Sequence, residues 1–151
     1  MTRLVWLILA TVFLGLAQPA LAEDKVNITA DRFVIEEESN LATFSGSVVV
    51  VQGTTTITAD TVEVHYGTGG ASDIEELVAD GHLVITTPSQ KVTGGRGRYD
   101  PATRVMIVTG DVVAESPSGR VTGTELRVDF KANTTEFANQ DGGRVTGVFN
   151  P

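Results

Sequence analysis

Beyond residue 23 the chain has almost no 3.6-residue hydrophobic period. Short segments rich in Val, Ile and Thr alternate instead with clusters of Gly, Ser, Pro and Asn. This pattern predicts an all-β protein. Turns are expected at Glu38 to Asn40, Gln52-Gly53, Gly67 to Ser72, Pro88-Ser89, Asp100 to Thr103, Ser116 to Gly119 and Lys131 to Thr134. Helix has no place except a terminal turn.

Two short patterns take turns along the chain. The first is Ile28-Thr29-Ala30-Asp31, which returns as Ile57-Thr58-Ala59-Asp60, Val92-Thr93-Gly94-Gly95 and Val121-Thr122-Gly123-Thr124. The second sets a glycine inside a strand, at Gly46, Gly81 and Gly110. The first pattern leads the glycine by 18 residues in units one and three, and the glycine leads the next unit by 11 every time. The unit is therefore 29 residues, with six extra in unit two that coincide with Gly67 to Ser72 and read as a loop insertion. A fourth unit follows Val121, with Asn139 in the glycine position. One such unit cannot bury its apolar side alone, whereas stacked copies build a continuous core.

The phase of the alternation locates a bend. Inward positions are Ile28 and Ala30, then Phe33 and Ile35; likewise Ile57 and Ala59, then Val62 and Val64; and Val121 and Gly123, then Leu126 and Val128. A one-residue slip exchanges the faces of a strand unless a bulge or corner intervenes, so each strand is expected to bend near the Asp and pass between two sheets. In the second pattern Phe44, Gly46, Val48 and Val50, with Val108, Gly110, Val112 and Ala114, alternate strictly and are expected to face inward.

The N-terminus changes the setting. Arg3, an apolar run from Leu4 to Ala17 and Ala20-Leu21-Ala22 before Glu23 have the form of a cleaved secretory signal. That run has 14 residues, short of the roughly 20 a spanning helix needs. The expected domains are a signal peptide over 1–22 and one β-domain over 23–151. Without the signal the chain has ten basic against nineteen acidic residues, a formal charge of −9, which disfavours nucleic acid as a partner. It has no cysteine, so backbone pairing and apolar burial must hold it.

Catalytic chemistry finds little support. Asp31 and Asp60 share a repeat position, but Gly95 and Thr124 replace them in the other units, as suits a polar residue at a strand corner. His65 and His82 have no Cys or second His at ligand spacing, and Gly94 to Gly97 is a single, misaligned copy of a calcium-roll turn. No nucleophile, zincin or phosphate-loop motif occurs. No cofactor is expected. Glu36 to Glu38 reads as a solvated turn, and Arg96, Arg98, Arg104 and Arg120 as surface charge that could also meet phosphates.

Residues Ile28 to Val34, Phe44 to Gly53, Ile57 to Tyr66, Ala79 to Thr86, Val108 to Val113 and Gly143 to Pro151 together resemble the OstA-like family of lipopolysaccharide-export proteins. The resemblance implies a curved antiparallel β-jellyroll of two sheets in a V, open at both ends. It implies a periplasmic protein that carries lipopolysaccharide from inner to outer membrane, with acyl chains between the sheets. Its partners would be lipopolysaccharide, further copies stacked head to tail, and inner-membrane-anchored and outer-membrane components joined by end-to-end strand pairing. Groove-lining positions would be Ile35, Phe44, Val48, Val50, Val62, Val64, Leu83, Ile85, Val108, Val112, Leu126 and Val128. Exposed first and last strands would supply the docking edges. Two other readings stay open: a β-stack that scaffolds the envelope without conducting lipid, and a membrane-anchored relative that keeps its N-terminal helix. On residues alone, the same apolar positions would be plain core in any β-fold.

Overall fold

The computed structural model describes residues 26–140 and 142–151, so the expected signal over 1–22 lies outside the described residues. Ten strands follow in order: β1 Val26–Thr29, β2 Arg32–Glu36, β3 Leu41–Gln52, β4 Thr55–Tyr66, β5 Ile74–Thr86, β6 Lys91–Asp100, β7 Val105–Ser116, β8 Gly119–Asp129, β9 Thr134–Ala138 and β10 Thr146–Phe149. Neighbours pair antiparallel in the order β1, β3, β4, β5, β6, β7, β8, β10, while β2 also pairs with β3 and β9 with β8. The turns lie within a residue or two of the expected places. The one 3₁₀ turn among the described residues, Gly70–Ser72, sits inside the unit-two insertion rather than at a terminus. There Asp73 ties it down, accepting from Gly69 N at 3.3 Å.

The six long strands, β3 to β8, are each broken midway by a register shift. The shift falls where the two sequence patterns meet. Gly46 and Ser47 have φ of 83° and 46°, Gly81 and His82 85° and 48°, and Gly110 and Asp111 85° and 48°. Two successive left-handed residues swing the strand through a corner. Such backbone is costly for a residue with a Cβ, and each pair therefore opens on glycine. Across the ladder sits the first-pattern residue: a Cβ on Gly46 would lie 2.5 Å from Asp31 Oδ2, and one on Gly81 2.3 Å from Asp60 Oδ2. Unit three puts Gly95 opposite Gly110. The second pattern thus carries the sharpest bend itself, which corrects the expectation that Gly46 and Gly110 are simply two more inward positions.

The corners divide one hydrogen-bonded sheet into two leaves that share all six long strands. Leaf 1 comprises β1, the halves of β3 to β8 near residues 48–59, 83–94 and 112–123, and β10. Leaf 2 comprises β2, the other halves, and β9. The core lies between them: Val48, Ala59, Leu83 and Val112 at the corner line of leaf 1, with Ile85 and Val92 from the row beyond, meet Val62, Val108 and Leu126 from leaf 2. Glycines let the leaves close there, since a Cβ on Gly94 would lie 2.5 Å from Val108 Cγ1 and one on Gly97 2.8 Å from Leu83 Cδ2. Each fully buried Val or Leu contributes about 1.5–3 kcal/mol through removal from water.

Candidate functional site

Register places the inward side chains in rows that run across the strands. In leaf 1 the row beyond the corner line passes through Ile28, Val50, Ile57, Ile85, Val92, Ala114 and Val121, each opposite the next. In leaf 2 the corner-side row is Phe33, Phe44, Val62, Ala79, Gly97, Val108, Leu126 and Phe137, and the next is Ile35, Ala42, Val64, Leu77, Tyr99, Met106, Val128 and Thr135. No charged side chain enters any of these rows. These rows are hydrocarbon, broken only by the Tyr99 and Thr135 hydroxyls.

The twelve expected lining residues fall into two groups. Val48, Val62, Leu83, Ile85, Val108, Val112 and Leu126 are buried in the core, where the leaves already touch. Phe44, Val50 and Val128 are half-buried against that core, Val64 is half-buried in the next row, and Ile35 is 54% exposed on the edge strand β2. Burial of the inward hydrocarbon thus falls from complete at the corner line to partial in the outer rows. Register adds Leu77, Tyr99 and Met106, which the sequence patterns missed, and sets Ile57 and Val121, already expected to face inward, in the leaf 1 row. Leu77 and Tyr99 were hidden because the insertion and the Gly94 to Gly97 run interrupt the alternation on which the patterns depend.

The two ends of the sheet differ from its middle. Exposed large apolar side chains gather there: Val26, Phe33 and Ile35 at the β1 and β2 edge, and Val145, Val148 and Phe149 near the β10 edge. Phe33 stacks on Phe44 at 4.4 Å, so the first edge continues the inner wall of leaf 2. Among the described residues, the outer strands also leave backbone groups without ladder partners on their far sides.

Titratable groups do not converge. His65 pairs with Glu63 at 3.2 Å on the outer face of leaf 2, and His82 Nδ1 lies 2.8 Å from Asp60 Oδ2 at a corner. That hydrogen bond, with the Asp60 charge, raises the His82 pKa above its ordinary value. Arg96, Arg98 and Arg120 each face a carboxylate, of Asp80, Glu76 and Glu115 respectively, so they are dispersed in outward ion pairs rather than gathered into a phosphate site. Among the described residues no group of three His, Cys, Asp or Glu is arranged to hold a metal. The arrangement can bury hydrocarbon and extend its own sheet.

Comparison with known proteins decides the family. The model of the LptA/(LptD N-terminal domain) LPS transport proteins matches residues 27–134, which is most of the chain and includes every expected lining residue. The chain belongs to this family. Lipopolysaccharide export system protein LptA of Escherichia coli K12 is 28% identical over 158 residues, covering 96% of this chain and 84% of that protein. An uncharacterised protein of Rhizobium meliloti is 28% identical over 136 residues, covering 85% of this chain and 73% of that one. Among solved structures, LptH of Pseudomonas aeruginosa, described as the LptA-homologous periplasmic component of the lipopolysaccharide transport device, superposes with a TM-score of 0.71. That match spans 85% of this chain and 96% of LptH at 18% identity, and it places the fold among the jellyrolls of this family.

Proposed function

We propose that this protein is exported to the periplasm through a cleaved signal over 1–22 and that its 23–151 domain bridges the membranes for lipopolysaccharide, with no catalytic step. The acyl chains lie between the leaves on the two outer inward-facing rows, and the corner-line residues form the floor beneath them. The observation that carries this reading is the charge-free inner wall of both leaves in a family of lipopolysaccharide transport proteins. Each methylene moved from water onto that wall contributes about 0.8 kcal/mol, so chains of ordinary length bind without a charged contact.

Strand polarity supports a head-to-tail stack. Each leaf has eight strands, starting at β1 or β2 and ending at β10 or β9. Because neighbours alternate in direction throughout, a second copy moved along the sheet sets its β1 beside β10 and its β2 beside β9, antiparallel in both leaves. The same edges suit inner-membrane-anchored and outer-membrane components of like fold. The filled corner line favours a second reading, a scaffold that conducts no lipid.

A photo-crosslinking residue decides between them. Val50 and Val49 are adjacent, half-buried and on opposite faces, as are Met106 and Ile107. Crosslinkers at Val50 and Met106 are expected to capture lipopolysaccharide in cells, while those at Val49 and Ile107 are not. Equal capture from both faces, or none from the inner one, would sink the carrier reading and leave the scaffold.

A further inference from the structure

Tyr99 is the one large polar side chain in the second inward row of leaf 2. It stands between Leu77 on one side and Met106 on the other, and Met106 packs on the core, so the Tyr99 ring extends the apolar wall. Phe130, two residues beyond Val128, meets that ring edge-on at a centroid distance of 6.1 Å. The next residues outward belong to the turns, where Asp100 and Asp129 use their carboxylates to accept from backbone N–H groups. Tyr99 thus marks the last apolar row before polar turns begin. Among the described residues, nothing bonds to its hydroxyl. A phenol at such a boundary offers an apolar ring to hydrocarbon and a donor to whatever polar group comes next.

We propose that Tyr99 fixes the depth at which an acylated ligand sits. Its hydroxyl donates to the ester or amide carbonyl that joins an acyl chain to the headgroup, and Phe130 holds the ring in place for that bond. This rests on the carrier reading above and adds to it a preference: the trough distinguishes acyl esters and amides from bare hydrocarbon. A neutral hydrogen bond of this kind changes affinity by roughly 3- to 10-fold.

The test compares two ligands on the full protein: lipopolysaccharide, and the fluorescent hydrocarbon probe 1,6-diphenylhexatriene, which has no carbonyl. Tyr99→Phe is expected to weaken lipopolysaccharide binding by roughly 3- to 10-fold and to leave the probe unchanged; unchanged probe binding also reports an intact trough. Phe130→Ala is expected to shift binding in the same direction by a smaller factor. If Tyr99→Phe binds lipopolysaccharide as tightly as the parent, or loses both ligands equally, the depth-setting role is overturned while the trough stands. If the parent protein binds neither ligand, the carrier reading falls first and this inference falls with it.

Discussion

Leaf 2 and its turns carry twelve acidic side chains against six basic ones, whereas the strands of leaf 1 carry Glu115 against Lys91 and Arg120. The inner faces of the leaves are alike, so the difference lies outside. Across the outer face of leaf 1 runs a ladder of Thr29, Val49, Thr58, Val84, Thr93, Val113, Thr122 and Thr146, each opposite the next. Across leaf 2 the corresponding ladder includes Glu63, Arg98, Arg127 and Glu136. Leaf 1 is held by β-branched cross-strand pairs, each contributing roughly 0.2–1 kcal/mol. Solubility falls to the charges of leaf 2. The comparison separates two jobs that a half-exposed sheet must do, and it assigns them to opposite ends of the same strands.

If the leaves were independent they could melt apart, and the contacts that join them decide whether they do. Leu83 is 2% exposed on leaf 1 and sits against Gly97 of leaf 2. Leu83→Ala is expected to cost about 2–5 kcal/mol, seen as a fall of roughly 10 °C in Tm, in a single transition for both leaves. Two separate melting steps by circular dichroism would show that the corner line does not couple them.

The corners come next in size. Gly81→Ala forces a Cβ onto a left-handed residue and against Asp60, and is expected to cost about 2–3 kcal/mol. Gly110→Ala meets only the Gly95 backbone at 3.2 Å and is expected to cost less, about 1–2 kcal/mol. Unit three already has a glycine, Gly95, where units one and two have Asp31 and Asp60. A double-mutant cycle checks this: in an Asp60→Gly background, the denaturant midpoint shift from Gly81→Ala should shrink toward that of Gly110→Ala. Strict additivity would mean that the carboxylate and the glycine do not shape one another.

Much of this was legible before any coordinates. The 29-residue unit, the turns and the phase slip at Asp31, Asp60 and Thr124 follow from spacing, and the slip coincides with real register shifts. Strict alternation even sorted the run Val48 to Val51, sending Val48 and Val50 inward although all four residues are valine. Three things were hidden, each for a physical reason. Hydrophobic pattern cannot tell a wall that lines a trough from one that closes on itself, because both are apolar; only the small Gly94 and Gly97 show that the leaves touch. The Gly-rich stretch of β6 interrupts the alternation, which conceals its role: Gly95 lies at the register shift, while Gly94 and Gly97 allow close approach of the leaves. Ile35 alternates correctly yet ends half-exposed, because an edge strand has a neighbour on one side only.

Ion pairs on leaf 2 lie on its solvent-facing side. Arg98 faces Glu76, but the Arg98 side chain is 62% exposed and water screens the pair. Arg98→Ala is therefore expected to change stability by less than about 1 kcal/mol, a difference that 1 M salt erases. A larger loss that persists in salt would mean that leaf 2 uses its charges for structure as well as for solubility.

The smallest effect concerns the corner between the leaves. The His82 pKa is raised by its hydrogen bond to Asp60 and by the carboxylate charge, so the folded protein binds this proton more tightly than the unfolded chain does. The stabilisation is fully present below the unfolded value of about 6.5 and is lost as pH rises through the higher folded value. With the imidazole side chain 91% exposed, the effect on melting is slight, and the titration itself is the sensitive readout. By NMR the His82 midpoint should lie above 6.5 in the parent and return toward it in Asp60→Asn. A midpoint that ignores the substitution would place the cause elsewhere and reduce the corner carboxylate to a packing element over Gly81.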